Sequence, residues 1–168
     1  MSWGRLGPTL GTLVFLFVAP VTFGGYVPYR LSRWTVRAPL LGWEGFRWVG
    51  AVLVLLGLPV LLESFFRFAW VGRGTPGPPY PTERLVVSGF YRYVRNPMYI
   101  AVVSIVLGQG LLFGSTGILI YAACVAPLFH AFVMLYEEPT LRRRYGAEYE
   151  DYCRAVRRWL PRPFRPAP

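Results

Sequence analysis

Few side chains in this sequence are equipped for chemistry, and they gather in a few places. Glu137 and Glu138 are adjacent carboxylates in a chain with only eight acidic residues among 168. Adjacent like charges at an apolar boundary cost energy unless a cation faces them. The pair therefore implies either a positively charged ligand or an ion pair with Arg95 or Arg142. His130 is the one histidine, and it precedes Glu137 by two helical turns with Met134 between them, which predicts one shared helical face. His130 and Glu138 are thus the candidate general bases for an acceptor that must lose a proton. The plainer reading of His130 is a satisfied interhelical hydrogen bond. Upstream, Arg95-Asn96-Pro97 reads as a helix start, with Pro97 in the first turn and Asn96 as its cap. Free backbone N–H groups and the positive dipole end would then face an anionic group, or simply solvent as in an ordinary cap. Arg95 is a second candidate for that anion.

The absent chemistry is equally informative. All eighteen basic residues are arginine, which excludes a Schiff-base lysine and a Walker-type phosphate clamp. Two cysteines, Cys124 in an apolar run and Cys153 in a basic tail, make neither a disulfide framework nor a cysteine-rich zinc site, and no metal is expected. The net charge of +10 raises the question of nucleic acid, but membrane topology accounts for where the arginines fall, so no nucleic-acid partner is expected.

These groups must be positioned by helices in a bilayer. Apolar residues make up 54% of the chain and charged ones 15%, against about 25% charged in a soluble domain. The expected fold is an all-α integral membrane protein, a single domain with about four transmembrane helices, over about 6–29, 46–70, 97–113 and 117–137. The first run is too long for a signal peptide and lacks a small-residue cleavage site, so it reads as a retained span. The last two spans form a tight hairpin around Phe113-Gly114-Ser115-Thr116-Gly117. Glu63 and Arg67, one turn apart near the end of the second span, read as an ion pair.

Four spans leave the loop 71–96 and the tail 138–168 on the same side as the amino terminus. That side holds most of the arginines, against Arg30, Arg33, Arg37 and Arg47 on the other, and is expected to be cytoplasmic. Prolines 76, 78, 79 and 81 keep the loop extended and stiff, fit for a linker or for the wall of a pocket. In the tail, Leu141, Tyr145, Tyr149, Tyr152 and Val156 follow helical spacing, which predicts a carboxyl-terminal amphipathic interfacial helix whose arginines meet anionic headgroups.

At these positions the chain resembles the isoprenylcysteine carboxyl methyltransferase and phospholipid methyltransferase superfamily of integral membrane enzymes. The resemblance runs over about 74–161 and rests on four elements in fixed order. They are Leu85-Val86 with Gly89-x-Tyr91, then Arg95-Asn96-Pro97-Met98-Tyr99, then Glu137-Glu138-x-x-Leu141, then Tyr145-Gly146-x-Glu148-Tyr149-x-x-Tyr152 ending in Leu160-Pro161. It implies S-adenosylmethionine at the cytoplasmic face, lined by Arg84, Leu85, Val86, Tyr91, Asn96, Pro97, Met98, Tyr99 and Glu137, with Gly108 and Gly110 matching a glycine pair of the phospholipid branch. The cofactor's sulfonium and ammonium would suit Glu137 and its carboxylate Arg95 or the helix start.

The same resemblance implies a lipid or lipophilic acceptor, carboxylate or amine, entering from the bilayer. Asn96 stands where a histidine is usual, as in many bacterial members, and points to a bacterial inner membrane. Val133 stands where the prenylcysteine branch has an arginine, which argues against prenylcysteine as the substrate. Two other readings remain open. One is an NADPH-dependent reductase of the sterol and steroid type, with Arg142, Arg143 and Arg144 for a 2′-phosphate. The other is a non-catalytic membrane scaffold or carrier. The oligomeric state is not legible.

Overall fold

A computed structural model describes residues 18–67 and 85–161. Regular structure among them is helical, apart from one isolated parallel bridge between Val94 and Arg157. A π turn at Thr22–Tyr26 leads into α1 (Val27–Ser32), which Arg33 ends in the left-handed region at φ 52°. The apolar runs then give α2 (Gly45–Arg67), α3 (Pro97–Phe113) and α4 (Thr116–Phe132). Two helices are long and apolar enough to cross a membrane, α2 and the helix that begins with α4, while α3 is a shorter apolar helix. At about 1.5 Å rise per residue, the 23 residues of α2 reach across roughly 35 Å.

The expected spans need three adjustments. In the first, residues 6–17 lie outside the described residues, and the helix continues past 29 to Ser32. In the second, the described helix ends at Arg67, and 68–70 lie outside. The fourth does not stop at 137: α4 passes through a π turn at Val133–Glu137 into α5 (Glu138–Tyr145), a continuous helix of 30 residues. The wide turn ends just before Pro139, which has no N–H to donate and whose ring would press on the carbonyl four residues earlier in a regular helix.

The carboxyl-terminal amphipathic helix is also divided. Gly146, at φ 53° and ψ −124°, breaks the run between α5 and α6 (Ala147–Ala155) in a conformation that only glycine adopts readily. The stripe from Leu141 to Val156 therefore does not lie on one helix, although Tyr149 and Val156 are both buried.

The described residues form two compact units. The apolar unit takes 18–61 and 98–130. Its central contact is backbone on backbone: a Cβ on Gly50 would lie 2.6 Å from the Gly108 carbonyl oxygen, and one on Gly108 would lie 2.7 Å from that of Gly50. Small residues at this crossing let α2 and α3 meet without side chains between them. The α3–α4 hairpin turns through Gly114 and Ser115, whose hydroxyl accepts the Ile118 N–H at 3.4 Å. Gln109, buried in α3, donates to the Gly24 carbonyl in the first π turn at 2.6 Å and accepts the Trp34 indole N–H at 3.1 Å. The polar unit takes 62–67, 85–97 and 131–161, and holds most of the residues singled out above.

Candidate functional site

The polar unit is built on a short pairing of two extended segments. Pro97 disfavours helix at the residue before it, which keeps Asn96 and its neighbours extended. After α6 the chain is extended again from Val156. Val94 bridges to Arg157, the Arg95 N–H donates to the Arg157 carbonyl at 2.9 Å, and the Asn96 side-chain amide donates to the Arg158 carbonyl at 3.2 Å.

Beside this pairing lies a buried ionic cluster. Glu138 is 5% exposed and accepts two hydrogen bonds from Arg158, from Nε at 2.6 Å and from a terminal nitrogen at 2.9 Å. Arg95 approaches the same carboxylate at 3.3 Å. The fork-to-carboxylate geometry is the strong form of the ion pair, and it pushes the Arg158 guanidinium above its ordinary value. A carboxylate between two guanidinium groups is stabilised in its charged form and is a weak proton acceptor. Arg95 also donates to the Cys153 sulfur at 2.6 Å, yet its Nε is buried with no hydrogen-bond partner.

The second cluster centres on Tyr91, in the 3-10 turn Gly89–Arg92. Its side chain is hydrogen-bonded to Ser64, which is fully buried near the end of α2, and its carbonyl accepts the Tyr152 hydroxyl at 2.7 Å. Burial first, and then the nearby charge of Glu137, push the Tyr91 phenol well above its ordinary value, with the Ser64 bond acting the other way. Tyr91 is therefore a neutral phenol beside a carboxylate. Close by, Glu63 accepts from Arg67 at 2.7 Å, the ion pair expected from the sequence, and Arg67 reaches Ser88 at 3.2 Å. Gly89, at φ 63°, lies so close that any Cβ there would collide with the Glu63 carboxylate.

Leu85, Val86, Tyr91, Arg95, Asn96, Pro97, Glu137 and Glu138 all belong to the polar unit. Arg84 and the proline-rich stretch before it lie outside the described residues. Met98, Tyr99, Gly108, Gly110 and His130 belong to the apolar unit. There Met98 is buried, and the Tyr99 ring lies 5.0 Å from that of Phe129. Gly108 meets Gly50, and Gly110 meets Leu119 across the hairpin, so helix packing accounts for both glycines. His130 is exposed, as is Met134, and the π turn at Val133–Glu137 interrupts the regular period on which their shared face with Glu137 depended.

Sequence reasoning missed Arg158 and Ser64. Arg158 is one of a run of look-alike arginines, and its partner is 20 residues away. Ser64 is one small polar residue in an apolar helix, and only its burial marks it.

A model of the phospholipid methyltransferase family matches residues 46–148, more than half of the chain, from the start of α2 into α6. No individual curated protein matches the chain.

Proposed function

The chain belongs to the phospholipid methyltransferase family, and from that premise we propose that it transfers a methyl group from S-adenosylmethionine to a lipid-like acceptor at the cytoplasmic face of a bacterial inner membrane. One observation supports the cofactor above the others: the buried Arg95 Nε–H without a hydrogen-bond partner. A buried donor left unpaired is unfavourable by about 1–3 kcal/mol, and a carboxylate such as that of the cofactor's amino-acid end would satisfy it. The donor set fits the rest of the group. Glu137 brings negative charge beside the neutral Tyr91 phenol, as a sulfonium or ammonium requires. The start of α3 at Pro97 adds a helix amino terminus near Arg95 and Asn96.

When bound, the cofactor supplies a methyl group activated by its sulfonium. The rest falls to the chain: Arg95 would take the carboxylate, Glu137 the positive end, and Leu85, Val86 and Tyr91 would wall the site and exclude water. Methyl transfer is an in-line displacement, so holding the partners at about 3–3.5 Å in a dry site is the main demand on the protein. A carboxylate acceptor needs no base. For an amine the proton must leave, and the arginine pair on Glu138 makes that residue a poor acceptor. The excess of arginine on the side of both termini and the loop 71–96 supports a cytoplasmic placement for them.

Calorimetric titration of the detergent-purified protein with S-adenosylhomocysteine tests this reading. Binding that Glu137→Gln weakens tenfold or more is expected. No binding to the wild-type protein, or binding of NADPH in its place, would overturn it.

A further inference from the structure

We propose that Arg158 is a positioning residue for the cofactor site: clamped on Glu138, it anchors the segment after α6 against Arg95 and Asn96 and so fixes those two side chains. The proposal rests on the methyltransferase reading above and adds to it a residue that acts through others.

The segment needs an anchor. Its pairing with 94–96 includes a single bridge, of which the Arg95 N–H to Arg157 carbonyl bond is part, and one bond from the Asn96 amide. Even an isolated two-stranded hairpin is marginal in water, and this pairing is shorter than one. The fork of Arg158 on a carboxylate that is 5% exposed fastens it.

The same carboxylate oxygen serves both arginines. Glu138 Oε1 accepts Arg158 Nε at 2.6 Å and lies 3.3 Å from the Arg95 terminal nitrogen. Arg158 satisfies that oxygen more closely, while Arg95 lies at the longer distance and its Nε has no hydrogen-bond partner. Without Arg158, a buried carboxylate would have Arg95 as its nearest remaining guanidinium and would draw it in, taking the donor away from the cofactor. Lysine at 158 would keep the charge but not the two parallel bonds, so it should restore position only in part.

The Cys153 sulfur, bonded to Arg95 at 2.6 Å, reports this arrangement independently of any cofactor. In a full-length Cys124→Ala background, Cys153 is the one remaining thiol. Such protein in nanodiscs would be titrated with S-adenosylhomocysteine, assayed for methyl transfer, and timed for alkylation by N-ethylmaleimide. Arg158→Gln is expected to weaken S-adenosylhomocysteine binding roughly tenfold and raise KM for S-adenosylmethionine, with kcat held within about twofold. Arg158→Lys should fall between it and the parent, and alkylation of Cys153 should accelerate in the same order. The double variant Glu138→Gln with Arg158→Gln leaves no buried carboxylate to draw Arg95 in, so it should fold normally, but with the segment after α6 unanchored Arg95 and Asn96 lose their fixed positions and binding should stay weak. Parental affinity in Arg158→Gln or in that double variant would overturn the proposal. Failure of the parent to bind S-adenosylhomocysteine would instead overturn the methyltransferase reading, and the alkylation rates would still show whether Arg158 holds the segment.

Discussion

The Tyr152 hydroxyl donates to the Tyr91 carbonyl oxygen at 2.7 Å, which ties α6 to a turn 61 residues earlier in the chain. Burial pushes the Tyr152 phenol above its ordinary range, with the neighbouring Tyr149 adding to the shift. A group whose pKa is raised by folding contributes stability below its unfolded value, near 10 for tyrosine, and loses it as pH rises through the folded value. Tyr152→Phe should therefore have two opposite signatures. At pH near 8 it loses one hydrogen bond, worth about 0.5–1.5 kcal/mol, and the thermal midpoint in detergent falls. Above about pH 10 the decline of stability becomes shallower by up to roughly 1.4 kcal/mol per pH unit. A pH series of unfolding midpoints reads both, and an unchanged alkaline slope would mean that Tyr152 ionises as easily folded as unfolded.

Gly108 separates a packing role from a cofactor role. A methyl group there would sit 2.7 Å from the Gly50 carbonyl oxygen, with the Val54 side chain at 2.8 Å, and backbone cannot move aside as a side-chain end can. Gly108→Ala should destabilise the protein by about 1–3 kcal/mol, as overpacking does elsewhere. Affinity for S-adenosylhomocysteine in the fraction that remains folded should not change. A selective loss of affinity at unchanged thermal midpoint would return Gly108 to the cofactor site.

The sequence disclosed the parts of this architecture that depend on local pattern. The hairpin was legible because one apolar block was too long for a single crossing and carried Gly114 at its middle, and the Glu63–Arg67 pair because one helical turn separates them. Neither π turn was legible, since a proline such as Pro139 disturbs the turn before it without dictating a wider winding. The π turn at Val133–Glu137 interrupts the regular period that joins His130 to Glu137 in the sequence. Gly50 and Gly108 are explained only by each other, across 58 positions of sequence that no periodicity spans. Arg158 was hidden for the same reason. Its meaning lies in a carboxylate on α5, and the arginines around it look the same in one dimension.

His130 supplies the third prediction. It is exposed on α4, and Met134 one turn on is 43% exposed, a surface rather than a shielded catalytic stripe. His130→Ala should leave the methyl-transfer rate within about twofold between roughly pH 6 and 8. Loss of an acidic limb in the pH profile on this substitution would identify His130 as the base after all.

Gln109 is the strongest test of the apolar unit. Its side-chain amide is 7% exposed at the residue level and uses both ends, donating to the Gly24 carbonyl at 2.6 Å and accepting the Trp34 indole N–H at 3.1 Å. Gly24 lies in the π turn Thr22–Tyr26, and the residue four positions on is Pro28, which has no N–H to give its carbonyl. Gln109→Met preserves volume and removes both bonds, leaving that carbonyl in apolar surroundings, where an unmet group is unfavourable by about 1–3 kcal/mol. The indole of Trp34, a residue 48% exposed, can turn toward water or headgroups, so most of the loss should come from the Gly24 side. A double-mutant cycle distinguishes the two: Gln109→Met combined with Trp34→Phe should show a coupling no larger than about 0.6 kcal/mol, the average for hydrogen bonds inside membranes. A coupling as large as the whole effect of Gln109→Met would place the anchor at Trp34 and leave the π turn without the support assigned to it.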